Sequence, residues 1–320
     1  MGASHPVLAR FPRALYPFEP KRARVGGGGR FEVSYLDEGP TDGPLVLLVH
    51  GNPTWSLYFR EVVRGLAAAG LRAVALDHVG CGLSEKPPAE LYPYTLAQRI
   101  EDLEALVAHL GLLERPFHLV AHDWGGAIGF GYAGRHAQRA RRLVALNTAA
   151  FHIPGDKRLP PSLKLGRDFL LGRLLIQGLN AFSAIATRWA VSYPLSSDLR
   201  AAYTAPYRSW PDRVATYRFV RDIPLTPGDA SYDTLSEVQA GLKGLSERPI
   251  LLGWGLKDFV FDESFLRVWQ ARFPHAQVHA YTDANHYILE DKREELTPLI
   301  CEFLSRERDA TPAPQEPQSP

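Results

Sequence analysis

Asp123 is the first residue whose surroundings suggest chemistry. It lies in the string His-Asp-Trp-Gly-Gly at residues 122–126, with the small residues Ala121 and Gly125 two positions before and after it. This spacing is typical of a nucleophile elbow, a sharp strand-to-helix turn that exposes its central side chain and needs small neighbours. A carboxylate there is ionised at neutral pH and can attack carbon directly, forming an ester. The alternative is an Asp that only caps the following helix, which would not need small neighbours.

Two further polar residues follow later apolar runs. Asp258 comes shortly after the run 250–253, and His286 comes shortly after the run 278–281. Together with Asp123 they stand in the order nucleophile, acid, histidine. In such a triad His286 would act as general base toward water or substrate, and Asp258 would fix its tautomer and stabilise the imidazolium. Taken singly, each has an ordinary alternative, a surface histidine and a turn-forming aspartate.

A loop near the N-terminus adds hydrogen-bond donors. Residues 50–53 read His-Gly-Asn-Pro and follow the apolar run 45–49, in the position that normally supplies half of an oxyanion hole. The Asn52 amide and the Trp124 indole N–H are neutral donors, and we expect them to hold a leaving anion beside Asp123. The alternatives are a turn residue before proline for Asn52 and simple packing for Trp124.

The elements that must position these residues can be read from hydrophobic periodicity. Short apolar runs cover residues 45–49, 73–76, 117–121, 143–146, 250–253 and 278–281. Longer helical patterns alternate with them; one begins at Thr95, repeats through Leu110 and stops at Gly111. The alternation predicts a mostly parallel sheet with helices on both faces, and with the elbow it predicts an α/β-hydrolase fold. Ligand-binding residues then lie at the carboxyl ends of the strands.

The chain divides into segments of different composition. We expect residues 31–150 and 246–308 to form the α/β core. In residues 151–245 the alternation gives way to apolar helices, prolines and many aromatic residues, which predicts an inserted helical cap over a hydrophobic pocket. Its aromatic residues are Phe169, Phe182, Trp189, Tyr193, Tyr203, Tyr207, Trp210, Tyr217 and Phe219, each of which has simple packing of the cap as its alternative. Residues 1–30 are predicted to be a flexible N-terminal segment, and residues 309–320 a disordered Pro-rich tail.

Composition restricts the class of protein. Thirty-six Lys and Arg against 35 Asp and Glu leave a net charge of +1, so no overall field attracts nucleic acid or an anionic membrane. We expect a small hydrophobic substrate, and no motif indicates a metal or a cofactor. Cys81 and Cys301 are too few for a disulfide framework. Because neither a signal peptide nor a run of about 18 apolar residues is visible, we expect no transmembrane segment and a cytoplasmic location.

The chain resembles the haloalkane dehalogenase family over about residues 31–303. In that family the string H-G-N-P supplies a halide-binding Asn, H-D-W-G supplies the nucleophile and a halide-binding Trp, and a late His completes the site. The resemblance therefore assigns these roles to Asn52, Asp123, Trp124 and His286. Family members carry the acid after the sixth or the seventh strand. Asn147, which is not an acid, follows the run 143–146 here, so the resemblance assigns the acid to Asp258.

Longer strings narrow the resemblance. Residues 77–84, 147–151 and 254–262 are similar to the third dehalogenase-like subfamily. That group includes the β-lactone decarboxylases of bacterial long-chain olefin biosynthesis, which convert a cis-dialkyl β-lactone to a cis-alkene and carbon dioxide. The resemblance implies this activity and, as a partner, a complex with other enzymes of olefin biosynthesis.

Two reactions suit the predicted site. As a haloalkane dehalogenase, Asp123 would displace halide, Asn52 and Trp124 would hold it, and His286 would activate water to hydrolyse the ester. As a lactone decarboxylase, Asp123 would attack the ring carbon that bears oxygen, and loss of carbon dioxide would then expel it. A long apolar cap favours the lactone, because two alkyl chains need an extended dry channel.

Two further functions remain as alternatives. An epoxide hydrolase also uses an Asp nucleophile but needs two cap tyrosines to protonate the opening ring, and the candidates include Tyr193, Tyr203, Tyr207 and Tyr217. Its chemistry does not require Asn52 and Trp124. A ligand-binding protein built on a hydrolase scaffold would not need a nucleophile, an acid and a base together.

Overall fold

One twisted sheet forms the centre of the molecule. The computed structural model describes residues 5–26, 28–155 and 157–306, and within these residues eight strands lie in the order β1-β2-β4-β3-β5-β6-β7-β8. The strands are β1 (Lys21–Val25), β2 (Phe31–Glu38), β3 (Leu45–Val49), β4 (Arg72–Leu76), β5 (Phe117–Asp123), β6 (Ala140–Thr148), β7 (Ile250–Gly255) and β8 (Gln277–Tyr281). Strand β2 is antiparallel to β1 and β4, and the pairs from β4 through β8 are parallel. The predicted α/β-hydrolase fold is confirmed.

Helices cover both faces of this sheet. They are α1 (Arg60–Ala68), α2 (Leu96–His109), α3 (Trp124–Arg135), α4 (Pro161–Asp168), α5 (Leu170–Arg173), α6 (Ala181–Trp189), α7 (Ser197–Thr204), α8 (Val214–Arg221), α9 (Tyr232–Gly241), α10 (Glu263–Arg272), α11 (Ile288–Asp291) and α12 (Arg293–Ser305). Helices α2, α3, α9 and α10 pack on one face, and α1, α11 and α12 on the other. Helix α2 begins directly after Thr95, where the pattern predicted a helix, and the Thr95 hydroxyl caps it by accepting from the Gln98 N–H. Among the described residues no helix is long and apolar enough to cross a membrane.

The region between β6 and β7 is helical in its described residues and lies over the carboxyl ends of the strands. Helices α4 to α8 and the π-helical turn Leu174–Gly178 make up this cover, which we call the cap. Helix α9 differs from the prediction of a cap over residues 151–245. Its Leu235 and Val238 are buried in the core cluster against α3, so the core layer resumes before residue 246. The sequence of α9 predicts a helix with apolar residues, but it does not show whether those residues pack against the core or against the cap.

The N-terminal segment corrects the prediction of flexibility over residues 1–30. Strand β1 pairs with β2, and Tyr16 is fully buried with its hydroxyl 2.7 Å from Ser56 Oγ. Phe11 and Tyr16 also pack against Trp55. The segment is rich in prolines and basic residues, but the apolar side chains between them are buried in the two core clusters of the sheet. Residues 1–4 and the tail over 309–320 lie outside the described residues.

Candidate active site

Asp123 occupies the sharp turn between β5 and α3. Its backbone has φ +53° and ψ −126°, a conformation that costs a non-glycine residue about 1–3 kcal/mol and survives only where packing enforces it. A Cβ on Gly125 would lie 1.9 Å from the Val49 carbonyl oxygen, and one on Gly51 would lie 2.0 Å from Asp123 Oδ1. The turn therefore needs glycine at position 125, as its spacing from Asp123 predicted, and the neighbouring loop needs glycine at position 51 to make room for the carboxylate.

The structure brings the three predicted triad residues together. His286 Nδ1 lies 2.7 Å from Asp258 Oδ2, and His286 Nε2 lies 3.7 Å from Asp123 Oδ2. All three side chains are buried. The contact to Asp258 orients the ring so that Nε2 faces Asp123. Three strand ends that are far apart in the sequence thus supply one connected site.

Asp258 is held by a residue that the sequence analysis left off the list of site residues. The Asn147 amide donates to Asp258 Oδ2 at 3.0 Å and to the Gly255 carbonyl at 3.1 Å, while its own oxygen accepts from the Gly255 N–H at 2.8 Å. The Val260 N–H donates to the other carboxylate oxygen at 2.7 Å. Asn147 lies at the end of β6 with φ +32°. The strand that carries no acid therefore supplies the amide that positions the acid.

Burial and charge set the ionisation of the pair. Burial raises the pKa of Asp123 to about 6, although His286 and the backbone N–H groups of Trp124 and Asn52 oppose the rise. Burial alone would lower the pKa of His286, but the carboxylates of Asp258 and Asp123 outweigh it, and the net pKa is raised. At neutral pH an ionised Asp123 therefore faces an imidazole that readily holds a proton.

The Asn52 loop contacts both the core and the cap. Its backbone N–H donates to Asp123 Oδ1 at 2.6 Å, so the main chain, rather than the side-chain amide, makes the observed contact to the carboxylate. The side-chain amide donates to the Thr216 carbonyl on α8 at 3.1 Å. An amide nitrogen carries two protons, and Asn52 also lines the cavity beside Asp123. One amide proton is therefore committed to the cap, and the other is free for a ligand.

Trp124 is also in contact with helix α8. Its ring packs against Phe219 at a centroid distance of 5.5 Å, and the Arg99 guanidinium lies 3.4 Å from the centroid of the same Phe219 ring. Arg99 is buried, and its guanidinium nitrogens find no hydrogen-bond partner among the described residues. Its charge is stabilised instead by the face of the aromatic ring. Helix α8 of the cap thus contacts both of the predicted anion donors, Asn52 and Trp124. The sequence strings that contain these two residues did not predict this contact.

An apolar cavity of about 330 Å³ opens above Asp123 and His286. Its walls come from the core near Asp123, from cap helices α4 to α6, and from residues 259–261. Polar side chains are few; they belong to Asn52, Asp123, Lys157, Arg158, Ser162 and His286. Of the aromatic cap residues named from the sequence, Phe182 and Trp189 line it. Such a cavity suits a ligand with long alkyl parts and one reactive group.

The four tyrosines considered as candidates for the two that an epoxide hydrolase needs do not line this cavity. Tyr203 donates to the carboxylate of Glu290, and Tyr207 donates to the Thr54 carbonyl at 3.3 Å. The Tyr193 hydroxyl donates to Asp283 at 2.9 Å on the surface. No pair of these hydroxyls is therefore available to protonate a ring held at Asp123.

Residues 44–293 match the model of the alpha/beta hydrolase fold, and the chain belongs to that family. Within it, the chain is 48% identical to a cis-3-alkyl-4-alkyloxetan-2-one decarboxylase of Shewanella oneidensis, with 91% of this chain and 90% of that protein covered. It is 31% identical to a haloalkane dehalogenase of Mycolicibacterium paratuberculosis over 85% of this chain and 87% of that protein. A crystal structure of a haloalkane dehalogenase from Bradyrhizobium elkani superposes with a TM-score of 0.80 at 26% identity, covering 92% of this chain and all of that one. The resemblance inferred from the motifs is confirmed.

Proposed function

We propose that the chain decarboxylates cis-3-alkyl-4-alkyloxetan-2-ones, four-membered lactones that carry two alkyl chains. The observation that carries the proposal is the apolar cavity that ends at the Asp123 carboxylate and His286. The two alkyl chains need an apolar cavity that excludes water, and the strained ring needs a nucleophile at the end of that cavity. The Shewanella oneidensis relative, named for this substrate, supports the same conclusion.

The first step opens the ring. Asp123 Oδ attacks C4, the ring carbon that bears oxygen, from the face opposite the C4–O bond. That bond breaks as the new ester bond forms, and a carboxylate is released on C3. The free amide proton of Asn52 and the indole N–H of Trp124 are the donors available to stabilise this anion. No proton is transferred and no water is consumed.

The second step forms the alkene. The bond from C3 to the carboxylate carbon breaks, carbon dioxide leaves, and the electron pair becomes the C3=C4 double bond as the C4–O bond to Asp123 breaks. Asp123 is regenerated as a carboxylate, so the atoms of the lactone are divided between alkene and carbon dioxide. Back-side attack places the ester anti to the C3 carboxylate, and anti elimination then converts a cis lactone to a cis alkene.

His286 acts in this sequence as a charge rather than as a base. Its Nε2 lies 3.7 Å from the Asp123 carboxylate, and Asp258 helps to raise its pKa. A protonated imidazole at this distance stabilises the carboxylate as it departs from C4. A hydrolytic mechanism requires the opposite state, a neutral imidazole that removes a proton from water.

Oxygen labelling separates the two outcomes. The purified chain is incubated with a cis-3,4-dialkyl β-lactone in ¹⁸O water, and the products are quantified by gas chromatography. The mass of the peptide that carries Asp123 is then measured by mass spectrometry. We expect equal amounts of alkene and carbon dioxide and an unlabelled Asp123. A β-hydroxy acid as the main product, with ¹⁸O in Asp123, would show that water cleaves the ester and would overturn the proposal.

Haloalkane dehalogenation is the second candidate. The observation that favours it is the pair of neutral donors on Asn52 and Trp124, which also suits a leaving halide. The sequence relative at 31% identity and the structural neighbour at 26% carry that name. A panel of bromoalkanes assayed for bromide tests it. Steady bromide release, with no alkene from the lactone, would replace the first proposal by this one.

The cytoplasm is the compartment that we propose. Cys81 and Cys301 are both free thiols, as expected where the environment is reducing. A complex with other enzymes of olefin biosynthesis stays a prediction of the sequence resemblance. Size-exclusion chromatography of the chain with the enzyme that forms its β-lactone would test that complex directly.

A further inference from the structure

The outer surface of the cap exposes large apolar side chains. We call the surface formed by Phe169, Leu171, Leu174, Leu179, Ile185 and Trp189 the cap face. Trp189 is 72% exposed and Leu179 is 69% exposed. These residues come from α4 through α6 and the π-helical turn between them, which contact one another in sequence order. Single exposed apolar side chains are ordinary, but a cluster of them marks a surface that binds another protein, a ligand or a membrane.

The cap face is continuous with the cavity. Ile185 and Trp189 are exposed to solvent and also line the cavity above Asp123. Arg158 is exposed and lines the cavity as well. The cavity therefore opens onto the cap face, and a ligand that enters or leaves by this route crosses an apolar surface.

Charge is concentrated around this surface. Residues 156–190 contain six Lys and Arg against two Asp, a net charge of +4, whereas the whole chain has +1. Arg158, Lys164, Arg173 and Arg188 are exposed in this stretch. The near-neutral total thus hides a cationic cap balanced by acidic residues elsewhere. Basic side chains that flank exposed Leu, Ile and Trp are the pattern of a surface that lies in the headgroup region of an anionic bilayer.

We propose that the cap face docks on the surface of an anionic lipid bilayer, with the mouth of the cavity against the lipid. The role of docking rests on the proposed function. A long dialkyl alkene has almost no solubility in water, so it needs an apolar phase to leave the cavity. Docking turns product release into transfer from one apolar phase to another. The lactone, which also carries two alkyl chains, enters by the same route.

A bilayer fits this surface better than a second copy of the chain does. Two cap faces brought together would oppose their own cationic side chains, which is unfavourable between like charges. An anionic headgroup layer instead neutralises them while the apolar side chains reach the acyl region. The positive charge around the cap face therefore favours an anionic bilayer over a second copy of the chain.

Vesicle co-sedimentation of the full chain tests the proposal. We expect binding to vesicles that contain phosphatidylglycerol, weaker binding at high salt, and at least tenfold weaker binding to pure phosphatidylcholine. The triple variant Leu171→Gln, Leu174→Gln, Leu179→Gln changes exposed residues that do not line the cavity, and we expect it to lose at least tenfold in partition coefficient. Leu91→Gln with Val278→Gln, two exposed apolar residues outside the cap, is the matched control and should bind like the parent chain.

Charge variants provide an independent arm. Arg173→Gln with Arg188→Gln should weaken binding to anionic vesicles by about fivefold for each charge removed, whereas Arg64→Gln on α1 should not. Absence of vesicle binding, or equal binding by the triple variant and its control, would overturn the proposal. So would a concentration-dependent dimer that the triple variant loses while vesicles remain unbound, since this would assign the cap face to a second copy.

A short-chain, water-soluble β-lactone separates this proposal from the proposed function. The triple variant should convert it at the rate of the parent chain, because Asp123 and the cavity walls are unchanged. Conversion without vesicle binding would reject the docking surface and leave the function standing. Vesicle binding by a chain that does not convert the lactone would reject the function and leave the docking surface.

Discussion

The core and the cap contribute to the cavity by different physical means. On the core side, Asp123, His286 and Asp258 are each fixed by backbone geometry or short hydrogen bonds. On the cap side, α4 to α6 contribute mainly apolar walls, and a small separate hydrophobic cluster around Leu163, Ile176 and Val220 joins α4, the π-helical turn and α8. Charges that react must be placed within about half an ångström, whereas apolar burial has no direction. The core therefore determines the reaction and the cap determines which substrate reaches it.

Removal of the proposed nucleophile should cause the largest loss of activity of any change on the core side. We expect Asp123→Asn to lower alkene formation by about 10⁴-fold or more, measured as initial rates with a cis-dialkyl lactone. Asp283→Asn, which changes a carboxylate outside the cavity, should leave the rate unchanged. Full turnover by the Asn variant would remove Asp123 from the mechanism.

The same variant should not lose stability. Burial raises the pKa of Asp123 from 3.8 to about 6, so the folded state binds the proton more tightly than the unfolded state does. The folded chain therefore loses stability as pH rises from about 4 through 6. At pH 7 we expect Asp123→Asn to be more stable by about 1–3 kcal/mol, measured by urea unfolding. A large loss of stability would mean that the charge contributes to the fold.

The pH dependence of the rate tests the charge of His286. The rate should rise through pH of about 6 as Asp123 ionises, changing about tenfold per pH unit below that value. It should fall again on the alkaline side, above the ordinary pKa of histidine, because the pKa of His286 is raised and its cationic form is needed. The two limbs belong to the coupled pair rather than to single residues. A rate that keeps rising as His286 loses its proton would favour water activation instead.

The support of Asp258 by Asn147 can be weakened without touching the reacting atoms. We expect Asn147→Gly to lower the rate by about 10-fold to 100-fold, as loss of a positioning hydrogen bond does in comparable sites. Asn147→Gly removes the buried hydrogen bonds to Gly255 and Asp258 and therefore loses some stability, but glycine tolerates the φ of +32° at this position. Asn147→Ala should lose the same activity and more stability, because alanine is strained there. The rate and the urea midpoint of both variants separate positioning from folding.

Substitutions in the cap should change which substrates are accepted rather than the rate of the chemical step. Ala186→Phe fills part of the cavity, and we expect about a tenfold loss of kcat/KM for long-chain lactones with little change for short ones. Ala184→Phe on the same helix is the control, since Ala184 does not line the cavity. A uniform loss for all chain lengths would mean that the cap also positions the reacting groups.

Local sequence patterns predicted most of the strands and the positions at which the candidate site residues follow them. The apolar runs predicted six of the eight strands to within a few residues, and the small residues around Asp123 predicted the elbow. These features depend on neighbours in the chain, because a period of two or 3.6 and a tight turn are local requirements. The order of Asp123, Asp258 and His286 likewise needed only their positions after strands.

The tertiary structure decided which residues that are distant in the sequence come into contact. It alone showed that Asn147 holds Asp258, that Thr216 binds the Asn52 amide, and that Phe219 lies between Trp124 and Arg99. It also packed the basic N-terminal segment that composition had suggested was flexible. Such contacts join residues that no periodicity links, and their existence depends on how the strands and cap helices are placed. A sequence can therefore name the groups that react, while the partners that fix their positions are settled only when distant segments pack together.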